Sequence, residues 1–449
     1  MTGEPEPDPR DAPSPVPAAT TTAPPAPTRW PRALRPFRHR EYRLLTASMA
    51  VSLVASGMWA VGLVWQVIAL GGGPTDVSVV MTGLSTGLLV CVLFGGVAAD
   101  RLPRRALLIM VETVRVATAV LVGLLAATGT LQVWHLAVIA FVLGAAEAFF
   151  FPAYTALLPT ILPADELLAA NGVEGTLRPA AQAALGPALA GLLIGAFAPS
   201  IALLGAGTLY GIALVVLLFM QPLPMPVSMS DPAEEKSSIL GDLREGFRYM
   251  FSTGWFFATL AFATFLVFML LGPIEVLLPF AVRDQTGSGA SGYALVVGAY
   301  GVGAMAGSIV TSSLRMPRRY LTIMIMAWGL GSVPMAIIGY TSQVWVMAVA
   351  LFVVGFAGGA AMVIWGTLLQ RRVPSHLLGR VSSLDFFVSL ALMPVSMAAA
   401  GPIGEAIGIP LTFLIAGIVP VGLAVIAIVG WRLPADELAH PLDPEPAST

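Results

Sequence analysis

Twelve long apolar stretches follow one another between Tyr42 and Leu433, with short polar turns between most of them. Each is about 20 residues or longer, which is enough for a helix to cross the hydrocarbon core of a bilayer. Within hydrocarbon only helices and closed barrels satisfy their backbone hydrogen bonds, and these stretches lack the alternation of a barrel strand. The sequence therefore predicts an all-α membrane protein with about twelve transmembrane helices.

Charge is scarce and nearly balanced along the chain. Charged side chains make up 11% of the residues, whereas a typical soluble domain carries about 25%. The net charge of −2 provides no basic surface for a nucleic acid, so we expect no nucleic-acid partner. Cys91 is the only cysteine, which excludes an intrachain disulfide.

The sequence also lacks the motifs of several enzyme classes. No G-x-x-x-x-G-K-[ST] loop surrounds Lys236, the only lysine, so the chain is not expected to be an ATPase. The four histidines are scattered, and no cluster predicts a metal site. A membrane-embedded lipid enzyme would need grouped aspartate, histidine or lysine at the inner face, and the sequence has no such group. We expect neither enzymatic activity nor a cofactor.

Arginine marks alternate turns between the stretches. Arginines precede the first stretch and recur at 101–105, 244–248, 315–319 and 371–380, whereas the turns at 71–76, 128–134 and 340–343 contain none. Cytoplasmic loops are enriched in lysine and arginine. The pattern predicts both termini in the cytoplasm and a multi-pass protein of the plasma (inner) membrane.

Repeated segments predict two related halves. PRRALLIM at 103–110 recurs as PRRYLTIM at 317–324, and LLPTILP at 157–163 aligns with LLQRRVP at 368–374. Parallel repeats of six helices are typical of transporters whose site lies between the halves. We predict halves at 29–220 and 255–433, joined by a cytoplasmic linker at 221–254 with a short amphipathic helix. The ends at 1–28 and 434–449 are expected to be disordered.

The turn after the second stretch resembles a signature of the major facilitator superfamily. It reads GGVAADRLPRRALLIM at 95–110, with Gly96, Asp100, Arg101, Arg104 and Arg105 at the signature positions. Its Leu-Pro before the basic pair, with FRHREYRLLTASMAVSLVASG at 37–57 and VPSHLLGRVSSL at 373–384, resembles the third drug:proton antiporter branch, which includes macrolide-efflux and enterobactin-exporter relatives. The resemblance covers the whole apolar chain and implies the major facilitator fold with proton-coupled export.

The same motif suggests a latch on the cytoplasmic face. Asp100 can face the positive N-terminus of a helix near Leu378, while Arg104 and Arg105 can bind carboxylates or carbonyl groups of neighbouring helices. Asp385 lies close enough to the inner surface to join this latch. The alternative is that these arginines only orient the chain, although Asp100 beside Arg101 serves no orienting purpose.

Gly186, Pro187 and Gly191 form a second motif in the fifth stretch. The resemblance implies an antiporter motif here, although Gln182 stands where those antiporters have glycine. Small residues let helices approach closely, and proline removes a backbone donor and allows bending. Ordinary helix packing and a specific role in sealing an antiporter both fit this pattern.

Ionisable residues inside the stretches cost about 2.5–3.5 kcal/mol on insertion scales, so each calls for a partner or a role. Glu147, near the middle of the fourth stretch, is the first candidate proton carrier, with a structural ion pair as the alternative. Arg178 reaches a similar depth and is expected to bind Glu147 or Glu174. Glu112 and Arg115 share one turn of the third stretch and are expected to form a structural pair.

The outer part of the seventh stretch contains Glu275, between Pro273 and Pro279. It is a second proton-coupling candidate, with a solvated outer position as the alternative. Apolar and aromatic walls suit bulky amphipathic ligands. Candidates for lining a substrate cavity are Trp59, Gln66, Phe150, Tyr154, Phe268, Trp365 and Phe386.

The sequence thus favours a secondary transporter that exports a hydrophobic or amphipathic small molecule, such as a drug, antibiotic or siderophore, by proton antiport. Lipid or lysolipid flipping by the same fold is the alternative transport function. The expected partners are the small-molecule substrate, protons and the lipid bilayer, and the expected oligomeric state is a monomer.

Overall fold

The computed structural model describes residues 31–221, 239–374 and 377–442, and the regular structure among them is helical. Twelve segments in this part of the chain are long and apolar enough to cross a membrane. Spans 1 to 6 are Arg40–Ala69, Pro74–Val92, Arg104–Ala127, Val133–Ile161, Ala169–Ala196 and Pro199–Leu218. Spans 7 to 12 are Gly254–Thr286, Ala290–Ser313, Tyr320–Ile338, Val344–Arg372, Leu384–Ile407 and Ile409–Gly430. The prediction of an all-α membrane protein with twelve spans is confirmed.

The two ends of the helix bundle differ in what they carry. One end, called here the termini end, carries the start of span 1, the connection between spans 6 and 7, and the end of span 12. The opposite end, called the loop end, carries short turns. Gly71 and Gly408 begin two of these turns at φ values of +84° and +89°, a region that side chains with a Cβ rarely adopt.

The two sets of six spans pack in the same way. Span 2 packs against span 4, and span 8 packs against span 10. In the first pair a Cβ on Gly87 would overlap the carbonyl oxygen of Phe141, and in the second a Cβ on Gly303 would overlap that of Phe352. Glycine therefore permits the same backbone-to-backbone approach in both pairs of spans.

Two further helices lie at the termini end. Ile239–Ser252, called the linker helix, falls in the predicted linker and packs against span 7 and the helix Leu378–Leu390 that leads into span 11. Leu433–Ala439, called the terminal helix, follows span 12. The predicted tail at 1–28 and the residues at 222–238 and 443–449 lie outside the described part of the chain.

The terminal helix differs from the prediction of a disordered tail from residue 434. Glu437 on this helix is fully buried. Its carboxylate accepts hydrogen bonds from the backbone N–H groups of Leu321 and Thr322, at 2.8 and 3.1 Å. These donors belong to the first turn of span 9, which has no intrahelical acceptors for them. The segment Leu433–Ala439 is therefore helical and held in place by capping a transmembrane helix.

Candidate functional site

A buried polar cluster joins spans 1, 3, 4 and 6 of the first half. Arg115 of span 3 lies at its centre, with 4% of its side chain exposed. Its Nη1 lies 2.5 Å from Oε1 of Glu112 on the same span, and its Nη2 lies 2.5 Å from Oε1 of Glu147 on span 4. One guanidinium therefore holds two carboxylates that come from different helices.

Ser52 of span 1 completes the polar contacts of Glu112. The Ser52 hydroxyl donates to Glu112 Oε1 at 2.7 Å and accepts from Arg115 Nη1 at 2.5 Å. The other carboxylate oxygen, Glu112 Oε2, is buried and has no hydrogen-bond partner among the described residues. An unpaired buried oxygen is costly when the carboxylate is charged, so Glu112 depends on Arg115 and Ser52 for its stabilisation.

Two aromatic rings enclose the guanidinium of Arg115. Its Cζ lies 4.8 Å from the ring centre of Phe150 and 5.3 Å from that of Tyr210 on span 6. The Tyr210 hydroxyl donates to Ser56 of span 1 at 3.1 Å. Aromatic faces attract a guanidinium and keep water from it, so the cation is held by ring faces as well as by carboxylates.

Helical periodicity explains how the sequence builds this cluster. Glu112 and Arg115 are three positions apart on span 3, and Glu147 and Phe150 are three positions apart on span 4. Residues with this spacing lie on one helix face. When spans 3 and 4 pack against each other, Arg115 meets Glu147 and Phe150 together.

The two carboxylates differ in their access to the surroundings. The Glu112 side chain is fully buried, whereas the Glu147 side chain is 36% exposed. With all three groups ionised, two carboxylates and one guanidinium leave a single negative charge. Glu147 is therefore the carboxylate of the cluster that is partly exposed.

Arg178 pairs with Glu174 on span 5, with 3.0 Å between Nη2 and Oε1. The partner of Glu147 is Arg115 instead. The expected Glu147–Arg178 pairing is therefore replaced by Glu147–Arg115. The reason lies in the packing, because Arg115 and Glu147 meet where spans 3 and 4 pack against each other. Arg178 lies one turn from Glu174 on its own helix and contacts it there.

Asp385 has partners within the second half. It accepts a hydrogen bond from Trp365 Nε1 at 3.0 Å and one from the Ser389 hydroxyl at 3.3 Å. Trp365 in turn stacks on Phe256, with ring centres 5.8 Å apart. The structure thus places Asp385 beside a predicted cavity residue, whereas the sequence suggested that it joins the latch.

The predicted latch is described only in part, because the surroundings of Gly96 and the side chain of Asp100 lie outside what the structure describes. Arg104 donates to the carbonyl oxygen of Ala156 at 2.7 Å, and Arg105 donates to that of Leu218 at 3.0 Å. Arg101 is exposed. The basic pair therefore ties span 3 to spans 4 and 6 within the first half.

The halves meet near the loop end through spans 2 and 11. The backbone N–H of Gly401 donates to the Ser78 hydroxyl at 2.7 Å, and this contact is buried. Nearby, the backbone N–H of Thr75 donates to Glu405 Oε1 at 3.0 Å. A Cβ on Gly401 would overlap the carbonyl oxygen of Pro74. Spans 2 and 11 therefore approach as closely as glycine allows.

The motif Gly186, Pro187 and Gly191 lies at two close helix contacts of span 5, one with span 1 and one with span 8. A Cβ on Gly186 would lie 2.5 Å from the carbonyl oxygen of Val54 on span 1, inside the first half. A Cβ on Gly191 would lie 2.8 Å from Ala294 Cβ on span 8, across the halves. The motif follows a π-helical turn at Pro179–Leu185. It places span 5 at a contact between the halves.

A hydroxyl group interrupts span 7 in the second half. Ser396 of span 11 donates to the carbonyl oxygen of Phe268 at 2.6 Å and accepts from the N–H of Gly272 at 2.9 Å. It thereby takes the place of the regular bond between those two groups, directly before Pro273. Such an insertion is a recognised cause of a helix kink. Glu275 lies in the π-helical turn Pro273–Leu277 that follows and is partly exposed.

The predicted cavity residues fall into separate environments. Trp59, Gln66 and Tyr154 are buried by packing. Phe386 is 44% exposed and lines a narrow cleft together with Ser85 of span 2, at the boundary between the halves. Phe150 covers Arg115, whereas Trp365 contacts Asp385 in the other half. The structure does not bring all seven candidates to one surface.

Sequence reasoning missed the hydroxyl groups that take part in these contacts, namely Ser52, Ser78 and Ser396. Serine inside a helix more often bonds a carbonyl of its own preceding turn, as Ser85 does with Met81 at 2.8 Å. A serine that bonds another span looks the same in sequence. The repeat between the halves offered no signal at these positions.

Comparisons with known proteins agree on the class of molecule. A family model described as transmembrane secretion effector matches residues 32–447. The multidrug efflux pump Tap of Mycolicibacterium fortuitum is 28% identical over 400 residues, covering 86% of this chain and 94% of Tap. Macrolide efflux protein A of Streptococcus pyogenes is 21% identical over 393 residues, covering 86% of this chain and 95% of that protein.

Solved structures agree on the fold. The crystal structure of the nucleoside transporter NupG aligns with a TM-score of 0.61 and 13% identity, covering 88% of this chain and 99% of that one. A mutant form of the same transporter aligns with a TM-score of 0.64 and 11% identity, covering 87% of this chain and 99% of that one. At this identity the likeness concerns the fold alone.

Proposed function

Because the chain belongs to the transmembrane secretion effector family of the major facilitator superfamily, we propose that it exports a hydrophobic or amphipathic small molecule in exchange for protons. It is a membrane transporter of the drug-efflux branch and not an enzyme. The names of Tap and macrolide efflux protein A support drugs as the substrate class.

The shared cation at Arg115 is the observation that carries proton coupling. Glu112 and Glu147 compete for one guanidinium, and only Glu147 keeps an exposed fraction of 36%. A proton on Glu147 weakens its contact with Arg115, because a neutral carboxyl attracts a cation less than a carboxylate does. Arg115 then stays with Glu112 and Ser52, and the contact between spans 3 and 4 becomes weaker.

Alternating access requires the contacts between the halves to break in turn. The loop-end contacts Ser78–Gly401 and Thr75–Glu405 are single hydrogen bonds, and the second of them is exposed, so their loss costs little. A hydrogen bond contributes about 0.5–1.5 kcal/mol net. We propose that these contacts open when substrate leaves and reform when the termini end opens.

The termini end is assigned to the cytoplasm from the arginines at 101–105, 315–319 and 371–372. Labelling of single cysteines tests this assignment, in a Cys91→Ser background. A membrane-impermeant thiol reagent applied to intact cells should label cysteine at Thr130, in a loop-end turn, and leave cysteine at Ser252 of the linker helix unlabelled. The reverse pattern would place the termini outside.

Everted membrane vesicles test the proposed transport. A pH gradient that is acidic inside should drive uptake of ethidium or a macrolide, because everted vesicles expose the cytoplasmic face. A protonophore should stop uptake, and vesicles without the protein provide the background. Uptake that is insensitive to the protonophore would exclude proton antiport, while uptake of a labelled lysolipid alone would favour lipid flipping.

A further inference from the structure

A cavity of about 460 Å³ lies at the termini end of the second half, between the ends of spans 8, 9 and 10. Span 10 packs against both span 8 and span 9, and the cavity occupies the gap between those two. Its lining residues are all in the second half, from Thr311 to Arg371. It is separate from the Arg115 cluster and from the contacts between the halves.

The mouth of the cavity is cationic. Arg315 and Arg371 line it together with the hydroxyl groups of Thr311, Ser312 and Thr367, and no carboxylate is among the lining residues that the structure describes. Arg315 is exposed, and Arg371 also donates to the carbonyl oxygen of Leu442 at 3.4 Å. Two guanidinium groups beside hydroxyl donors suit a phosphate group.

The inner wall of the cavity is apolar. Ile323 and Ala327 of span 9 form one side, and Val363 and Ile364 of span 10 form the other. Ile323 is 45% exposed and Leu314, beside the mouth, is 67% exposed. Since the chain crosses a membrane, apolar side chains exposed on the rim of the bundle meet lipid. The cavity therefore joins a cationic mouth to a surface that contacts acyl chains.

The first half lacks the same charge at the matching place. The aligned segments LLPTILP and LLQRRVP pair Thr160 with Arg371. Ala156 precedes the first segment as Thr367 precedes the second, and the Ala156 carbonyl is bonded by Arg104 at 2.7 Å. Ala156, which Arg104 contacts in the first half, thus aligns with Thr367, which lines the cavity in the second half. Arg371 is therefore a cation that the aligned position of the first half, Thr160, does not supply.

We propose that this cavity binds an anionic phospholipid, with its phosphate between Arg315 and Arg371 and an acyl chain against Ile323 and Ala327. Basic pockets between transmembrane helices on the cytoplasmic side are suited to anionic head groups. The volume lies in the range of small-molecule sites, about 300–1,000 Å³. The site is independent of the transported substrate and of proton coupling.

Lipid binding to the purified full-length protein in detergent tests the proposal. Native mass spectrometry should detect retained phosphatidylglycerol in preference to phosphatidylcholine with the same acyl chains. Arg315→Gln should weaken retention about five-fold, which corresponds to the roughly 1 kcal/mol that one arginine contributes near an anionic lipid. The matched control is Arg319→Gln, an exposed arginine of the same turn that does not line the cavity, and it should leave retention unchanged.

A second variant tests the apolar wall. Ala327→Phe fills the apolar part of the cavity without altering its charge, so it should also reduce retention of phosphatidylglycerol. Melting temperatures of the lipid-free proteins check that each variant is folded. Equal retention of the two lipids, or equal losses in Arg315→Gln and Arg319→Gln, would overturn the proposal. So would displacement of the lipid by inorganic phosphate at comparable concentration, because it would assign the site to a free anion.

Discussion

Arg115 and Glu147 come from neighbouring spans and share two hydrogen bonds, with Nε at 3.0 Å and Nη2 at 2.5 Å from the same oxygen of Glu147. The same guanidinium contacts Glu112 on its other side. This arrangement places Arg115 at the centre of the cluster and leaves Glu147 as its partly exposed carboxylate. Substitutions at the two residues should therefore have different effects, on stability at Arg115 and on coupling at Glu147.

Arg115→Met should lower the free energy of unfolding by about 3–5 kcal/mol, because it leaves the buried carboxylate of Glu112 without its cation. Unfolding of the purified protein by a denaturing detergent measures this loss. Arg178→Met is the matched control, since the Arg178–Glu174 pair is partly exposed and should contribute no more than about 1 kcal/mol. Equal losses in the two variants would contradict a central structural role for Arg115.

Gly57→Ala tests the close approach of spans 1 and 5. A Cβ at Gly57 would overlap the carbonyl oxygen of Gln182 and would lie 2.8 Å from Pro187 Cδ. Overpacking of this kind costs about 1–3 kcal/mol, so the melting temperature should fall. Gly211→Ala on span 6 is the control, because a Cβ there has nothing within 4 Å. Unchanged melting of Gly57→Ala would show that the spans can separate freely.

Ser78→Ala should favour opening of the loop end, because it removes the acceptor of the Gly401 N–H. The loss of about 1 kcal/mol shifts the equilibrium between closed and open forms about five-fold. The measurement is the labelling rate of a cysteine at Ala294, which faces Gly191 across the halves, in a Cys91→Ser background.

Ser85→Ala provides the control for this labelling experiment. Its hydroxyl lies on the same helix as Ser78 but donates to Met81 of its own turn. The labelling rate should therefore stay as in the parent protein. Equal acceleration in both variants would mean that the Ser78–Gly401 bond does not control access.

The sequence predicted the spans because these depend on length and hydropathy, and it predicted the family through the motif at 95–110. The pairing of Glu112 with Arg115 was also accessible, because both lie on one helix face. The partner of Glu147 was not, since an almost wholly apolar helix gives no sign of how it is rotated against its neighbours. Arg178 and Arg115 were therefore indistinguishable as partners until the packing of spans 3 and 4 was known.

The tail after residue 434 was harder for a different reason. Its composition is polar and its helix, Leu433–Ala439, is short, so nothing local requires it to fold. The position of this helix is set by Glu437, which caps span 9 from more than 100 positions away in the sequence. A contact of this kind depends on where the start of span 9 lies in the folded bundle, and local sequence does not contain that information.

Glu147→Gln tests the assignment of Glu147 as the proton carrier most directly, with Glu174→Gln as the matched control within the same half. In proteoliposomes, Glu147→Gln should abolish substrate uptake driven by an imposed pH gradient. It should retain the exchange of labelled for unlabelled substrate when the substrate concentration is equal inside and outside. Glu174→Gln should retain both activities, because Glu174 contacts Arg178 and lies outside the Arg115 cluster. Gradient-driven uptake by Glu147→Gln at the parent rate would contradict the assignment and would direct attention to Glu112 or Glu275.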